Sequence, residues 1–204
     1  MSRNDSPLSD YEKYRTQLKS GDVIAFSGNG NFSKLIKWST RSNYSHVGMV
    51  LKLDLGGGFG KSVLLVESTL LTDLANYDNK PAIRGVQMQW LSKRLQMYNG
   101  EAWWIPLKQP LPEYNLRKMQ GWLRQTYNKQ TPYDDTQIMG AAIDIFDNFK
   151  LENKEDLSTI FCSELVTKAL KVAGVVSESV NASEQTPQDV VNFNCWQAPA
   201  IRLK

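Results

Sequence analysis

This chain is poor in the residues from which most recognisable sites are built. One histidine and two cysteines occur in 204 residues. That is too few for a disulfide framework, and no CxxC pair or His-rich cluster supports a zinc site. No run of about 18 apolar residues occurs, so no segment reads as a transmembrane helix. The opening Met1-Ser2-Arg3-Asn4-Asp5-Ser6-Pro7 lacks the apolar centre of a signal peptide, and the expected location is cytoplasmic. An excess of one charge is also missing. The 24 basic and 21 acidic residues leave a net +3, evenly spread, which argues against a nucleic-acid partner. Without repeats, low-complexity tracts or linker-like composition, residues 1–204 read as one globular domain, with residues 1–8 loose.

What is present is a series of short apolar runs between turns. Val23-Ile24-Ala25-Phe26 is bounded by Gly21-Asp22 and by Gly28-Asn29-Gly30-Asn31, and reads as a buried strand. The glycine-rich turn fits neither GxxxxGK[ST] nor GxGxxG, so a phosphate loop is not expected. Phe32 to Trp38 then has helical spacing. Ser45 to Leu51 and Val63 to Ser68 read as strands joined through the Gly56–Gly60 turn, which makes a hairpin. If Val50 pairs with Val63, then Gly48 meets Leu65 and His46 meets Glu67. Directly opposed Cβ atoms lie about 4.5–5.5 Å apart, within reach of a carboxylate–imidazole bond. Further on, 84–88 and 101–107 read as strands. Ser9–Leu18, Trp90–Leu95, Glu113–Tyr127, Ile138–Phe149 and Pro187–Val191 read as helices.

The remaining helix carries the chemistry. Ile160, Phe161, Leu165, Val166, Ala169, Leu170, Val172 and Ala173 form a broad apolar face, with Ser158 or Thr159 as N-cap and Gly174 as C-cap. On that reading Cys162 lies in the first turn, where free N–H groups and the helix dipole favour a thiolate. Taken singly, Cys162, His46 and Glu67 are more often plain structural residues. Together they supply a nucleophile, a base and a group that orients the base. Cys195, with no helix to activate it, is expected to be inert.

The order Gly21-Asp22-Val23-Ile24, Ser45-His46-Val47-Gly48-Met49-Val50, Glu67, then Phe161-Cys162-Ser163-Glu164-Leu165-Val166 resembles the permuted NlpC-type papain-fold hydrolases. More narrowly it is similar to their YiiX-like branch, related to the lecithin:retinol acyltransferase group. In that family the histidine strand precedes the cysteine helix, as His46 precedes Cys162 here. The resemblance spans Gly21 to about Gly174 and takes in Tyr133-Asp134. It implies an α+β, papain-like fold in which a small antiparallel sheet packs against the cysteine helix. It also implies Cys162 as nucleophile, His46 as base and Glu67 as the third, orienting residue.

The expected activity is a cysteine hydrolase that cleaves an amide or peptide bond through a thioester, with no metal or organic cofactor. A lipid-directed acyl hydrolase or acyltransferase is the alternative, with the apolar Ile138–Phe149 stretch in its favour, and a non-catalytic binding module is the third reading. A small peptide, amide or lipid-like substrate is the expected partner. The backbone N–H of Cys162 is one oxyanion donor, and Asn43, Tyr44 and Ser45 are candidates for a second. Asp22 and Tyr133 are further candidates near the site, although Asp22 also suits a turn before a strand.

Overall fold

A computed structural model describes residues 9–28, 43–54, 61–69, 71–129 and 154–204. The predicted helices at 32–38 and 138–149, and Tyr133, lie outside these residues. The described chain is α+β, built on a six-stranded antiparallel sheet with strand order β4-β3-β2-β1-β5-β6. The strands are β1 (Val23–Gly28), β2 (His46–Asp54), β3 (Lys61–Thr69), β4 (Gly85–Trp90), β5 (Gly100–Ile105) and β6 (Ile201–Arg202). The helices are α1 (Ser9–Tyr14), α2 (Leu91–Met97), α3 (Glu113–Lys129), α4 (Lys154–Val172) and α5 (Pro187–Val191). None of these helices is long and apolar enough to cross a membrane.

Alternation along the central strands sorts their side chains onto two covered faces. Val23, Ala25, Val47, Met49, Leu51, Leu64 and Val66 pack against Met119 and Leu123 of α3 and against Leu165, Val166, Ala169 and Leu170 of α4. Ile24, Phe26, Val50, Val63 and Leu65 pack on the other face against Tyr11 of α1 and Leu91 and Leu95 of α2. Each such side chain withdrawn from water contributes about 1.5–3 kcal/mol. With both faces covered, the central strands are nearly continuous apolar runs, and any polar residue among them stands out.

The hairpin register differs from the sequence expectation by two residues. Met49 pairs with Val66, Val50 with Leu65, Leu51 with Leu64 and Lys52 with Val63. A two-residue slip preserves parity, so Glu67 stays on the face of Gly48 and Val50; an odd slip would have moved it to the other side. The pairing of β2 with β3 ends at Met49–Val66, while β3 stays paired with β4 as far as Thr69–Gly85 and β2 stays paired with β1 as far as His46–Phe26. The β2–β3 ladder therefore stops short of His46 on β2 and Glu67 on β3.

Candidate functional site

Glu67 is completely buried, and both of its oxygens are engaged. Oε2 lies 2.5 Å from Nε2 of His46, and Oε1 accepts a hydrogen bond of 2.7 Å from Nε of Arg94. Gly48 makes the diagonal reach from β3 to His46 possible. A Cβ there would stand 2.8 Å from Cδ1 of Leu65 and 3.2 Å from the Cβ of Glu67. Burial by itself would raise the carboxyl pKa of Glu67. The charge of Arg94, with the hydrogen bond and charge of His46, overrides that and holds it at about 2. An ionised carboxylate can only accept, so Nε2 of His46 carries the proton in this pair.

The imidazole also forms a side-chain hydrogen bond with Cys162. Burial alone would lower the imidazole pKa. The charge and hydrogen bond of Cys162, joined by those of Glu67, raise it to about 9. Cys162 is fully buried in the core cluster under α4, on the face opposite to Val50. His46 lies at the start of β2, beyond the last β2–β3 ladder pair, Met49–Val66. The ring of Phe26 flanks the imidazole, with centroids 5.7 Å apart.

One expectation for Cys162 needs correction. The helix does not open on the cysteine. α4 begins at Lys154, and Cys162 lies well beyond its first turn. Its backbone N–H therefore falls in the helical ladder rather than among the free donors, and the dipole effect, confined to the first turn, does not reach it. Neither Ser158 nor Thr159 is the N-cap. The C-terminal expectation holds: Gly174 adopts φ +68°, and its N–H bonds the carbonyl of Lys171.

The remaining expected residues separate into distinct roles. The Ser45 N–H donates to the Phe26 carbonyl at 2.8 Å, and its Oγ lies between the Phe26 carbonyl and the Gly28 N–H. Ser45 thus seals the end of β1 against β2 and offers no backbone oxyanion donor. The Asn43 N–H is likewise committed, to Oε1 of Gln188. Tyr44 is half-buried on the α3/α4 side, edge-on to Trp103. Asp22 accepts from the Lys19 N–H, Trp104 Nε1 and the Leu107 N–H, all within 3.0 Å, and so ties the turn before β1 to β5 and its exit. It belongs to the scaffold. Burial pushes the Cys195 thiol up to about 11.

Arg94 escaped the sequence reading. A signal was available, because Arg94 falls on the helical face of Leu91 and Leu95, where a charged residue needs a buried partner. Among the described residues, no group of three His, Cys, Asp or Glu side chains could hold a metal ion. A cavity of about 590 Å³ beside Trp122, Lys168 and Val180 includes neither Cys162 nor His46 in its lining.

No protein-family description matches this chain, and no curated protein does. Among solved structures, the chain is similar to one described as the metalloprotein YiiX from Escherichia coli O157:H7. The identity is 19% over 77% of this chain and 67% of the other, with a TM-score of 0.49.

Proposed function

We propose that this protein is a cysteine hydrolase of the permuted NlpC-type, papain-like kind, acting on an amide or peptide bond. The observation that supports it most is a single imidazole held between a thiol and a carboxylate whose protonation is settled by an arginine. In this reading His46 keeps Nε2–H on Glu67 and takes the thiol proton of Cys162 at Nδ1. The thiolate attacks the substrate carbonyl, the C–N bond breaks, and His46 returns the proton to the leaving amine. Water, deprotonated by the same imidazole, then cleaves the thioester and restores the thiol. The imidazolium stabilises the thiolate in place of a helix N-terminus. The hydroxyl of Tyr44, on the Cys162 side of the sheet, is a donor candidate for the oxyanion.

Alkylation of Cys162 followed by intact mass across pH tests this. Fast single-site labelling at pH 6, far below the ordinary thiol range near 8.5, abolished in His46→Ala, is the expected result. A panel of acyl amides should then give a covalent acyl-enzyme in the wild type and none in Cys162→Ala. Labelling with an ordinary thiol profile would sink the proposal.

A further inference from the structure

We propose that Arg94 is a positioning residue for the Cys162–His46 pair, acting through Glu67, which it holds by Oε1 while Oε2 orients the imidazole. The proposal rests on the hydrolase reading for its purpose, but its test does not. With both oxygens bound, at 2.7 Å to Arg94 and 2.5 Å to His46, the carboxylate cannot rotate away. The Nε2–H direction is therefore fixed, and with it the aim of Nδ1.

Charge supports the same assignment. On the hydrolase reading, a Cys162 thiolate and the Glu67 carboxylate are two buried anions, and the His46 imidazolium and Arg94 are two cations. Removing Arg94 leaves one excess negative charge where water cannot screen it, and a proton must then be taken up by Glu67 or by Cys162. The groups facing Glu67 are His46 from β2, Arg94 from α2, neutral Gln87 paired with it from β4, and Cys162 through His46 from α4. Tyr98, whose phenol burial pushes above its usual range, stays neutral beside them.

Arg94 is also caged by the residues that set the histidine. Its guanidinium carbon lies 4.9 Å from the Phe26 ring centroid and 5.1 Å from that of Tyr98. Phe26 flanks His46 as well, and Tyr98 hydrogen-bonds Ser45, the residue before it. A helix needing only packing would carry an apolar side chain at this position.

His46 is the only histidine, so its ring resonances report the site without assignment. In the full chain, Arg94→Met should lower the His46 titration midpoint, because whichever of Glu67 and Cys162 takes up the proton no longer favours the imidazolium. It should also slow Cys162 alkylation at pH 6 at least tenfold, and Arg94→Lys should recover most of that loss. In a Glu67→Gln background, Arg94→Met should change alkylation less than twofold. A folded Arg94→Met with the wild-type His46 titration would overturn the proposal, as would an equal loss in the Glu67→Gln background. If Arg94→Met does not fold, Arg94→Gln, uncharged but still a donor to Oε1, must show the same fall in midpoint or the proposal fails. If wild-type Cys162 labels like an ordinary thiol, the hydrolase reading falls; Arg94→Met must then still move the His46 midpoint, in either direction, or the positioning role falls as well.

Discussion

Among the described residues two carboxylates are buried with equal thoroughness, Asp22 at 1 % exposure and Glu67 at 0 %, and their surroundings push them in opposite directions. Asp22 is met by two backbone N–H groups and an indole N–H. Burial outweighs these neutral donors, and its carboxyl is pushed above the ordinary value. Glu67 is met by a guanidinium and an imidazole, and their charges outweigh burial. Neutral donors make a staple; charged partners, one of them titratable, make a group that can take part in proton transfer. Burial alone does not distinguish scaffold from site. The partners do.

The widest separation between the two is expected on truncation. Glu67→Ala leaves Arg94 buried without its counterion, at a cost of about 3–5 kcal/mol. It also frees the imidazole, so Cys162 alkylation at pH 6 should fall about a hundredfold or more, in line with the usual size of acid–base contributions. Asp22→Ala should cost about 2–4 kcal/mol through three orphaned donors, yet leave the alkylation rate of the folded fraction unchanged. Urea melts paired with alkylation rates read both, and a fall in reactivity for Asp22→Ala would erase the distinction.

Gly48→Ala comes next. Its Cβ would press on Leu65, which is fully buried and cannot swing aside, and on Glu67. Overpacking of this kind costs about 1–3 kcal/mol. Because Glu67 is displaced with it, slower alkylation should accompany the loss of stability. A stability loss with unchanged reactivity would show that Leu65 alone absorbs the strain.

Smaller effects follow from pH. Glu67 is held at about 2 against 4.5, so its contribution is complete above pH 4.5 and is lost as pH falls toward 2. His46 is raised from 6.5 to about 9, so its contribution is complete below pH 6.5 and is lost as pH rises through 9. Melting temperature should therefore peak between those limits, and His46→Gln should flatten the alkaline side. A wild-type curve flat from pH 6 to 9 would contradict the raised imidazole. Smallest of all is the change at Cys195, whose thiol is held up to about 11. Cys195→Ser should leave the total alkylation at pH 6 unaltered, and any measurable drop would mean that the second thiol is reactive.

Much of the frame was readable from local signals. The strands β1 to β5, the helices α3 and α5, and the Gly174 C-cap follow from period-2 runs, helical spacing and turn residues, which act over a few positions. The hairpin register departs by two from the local pattern, with Leu65 and Glu67 filling the space beside Gly48. The two-residue strand β6 carries too little periodicity to be noticed. Ser158 and Thr159 look like caps but lie inside a longer helix, so local pattern does not give the start of α4.

From sequence alone came the scarcity that made His46 conspicuous, the acid on the same strand face, and the amphipathic segment bearing Cys162. These depend on composition and on side-chain alternation, which any register of the right parity conserves. Only the tertiary structure decided that the β2–β3 ladder ends at Met49–Val66, short of His46 and Glu67. It alone brought Cys162 to the imidazole from the face packed by α3 and α4, and placed Arg94, from a helix beyond the next strand, on the far oxygen of Glu67. Electrostatic partnership depends on distances between segments remote in sequence, and no local pattern encodes them.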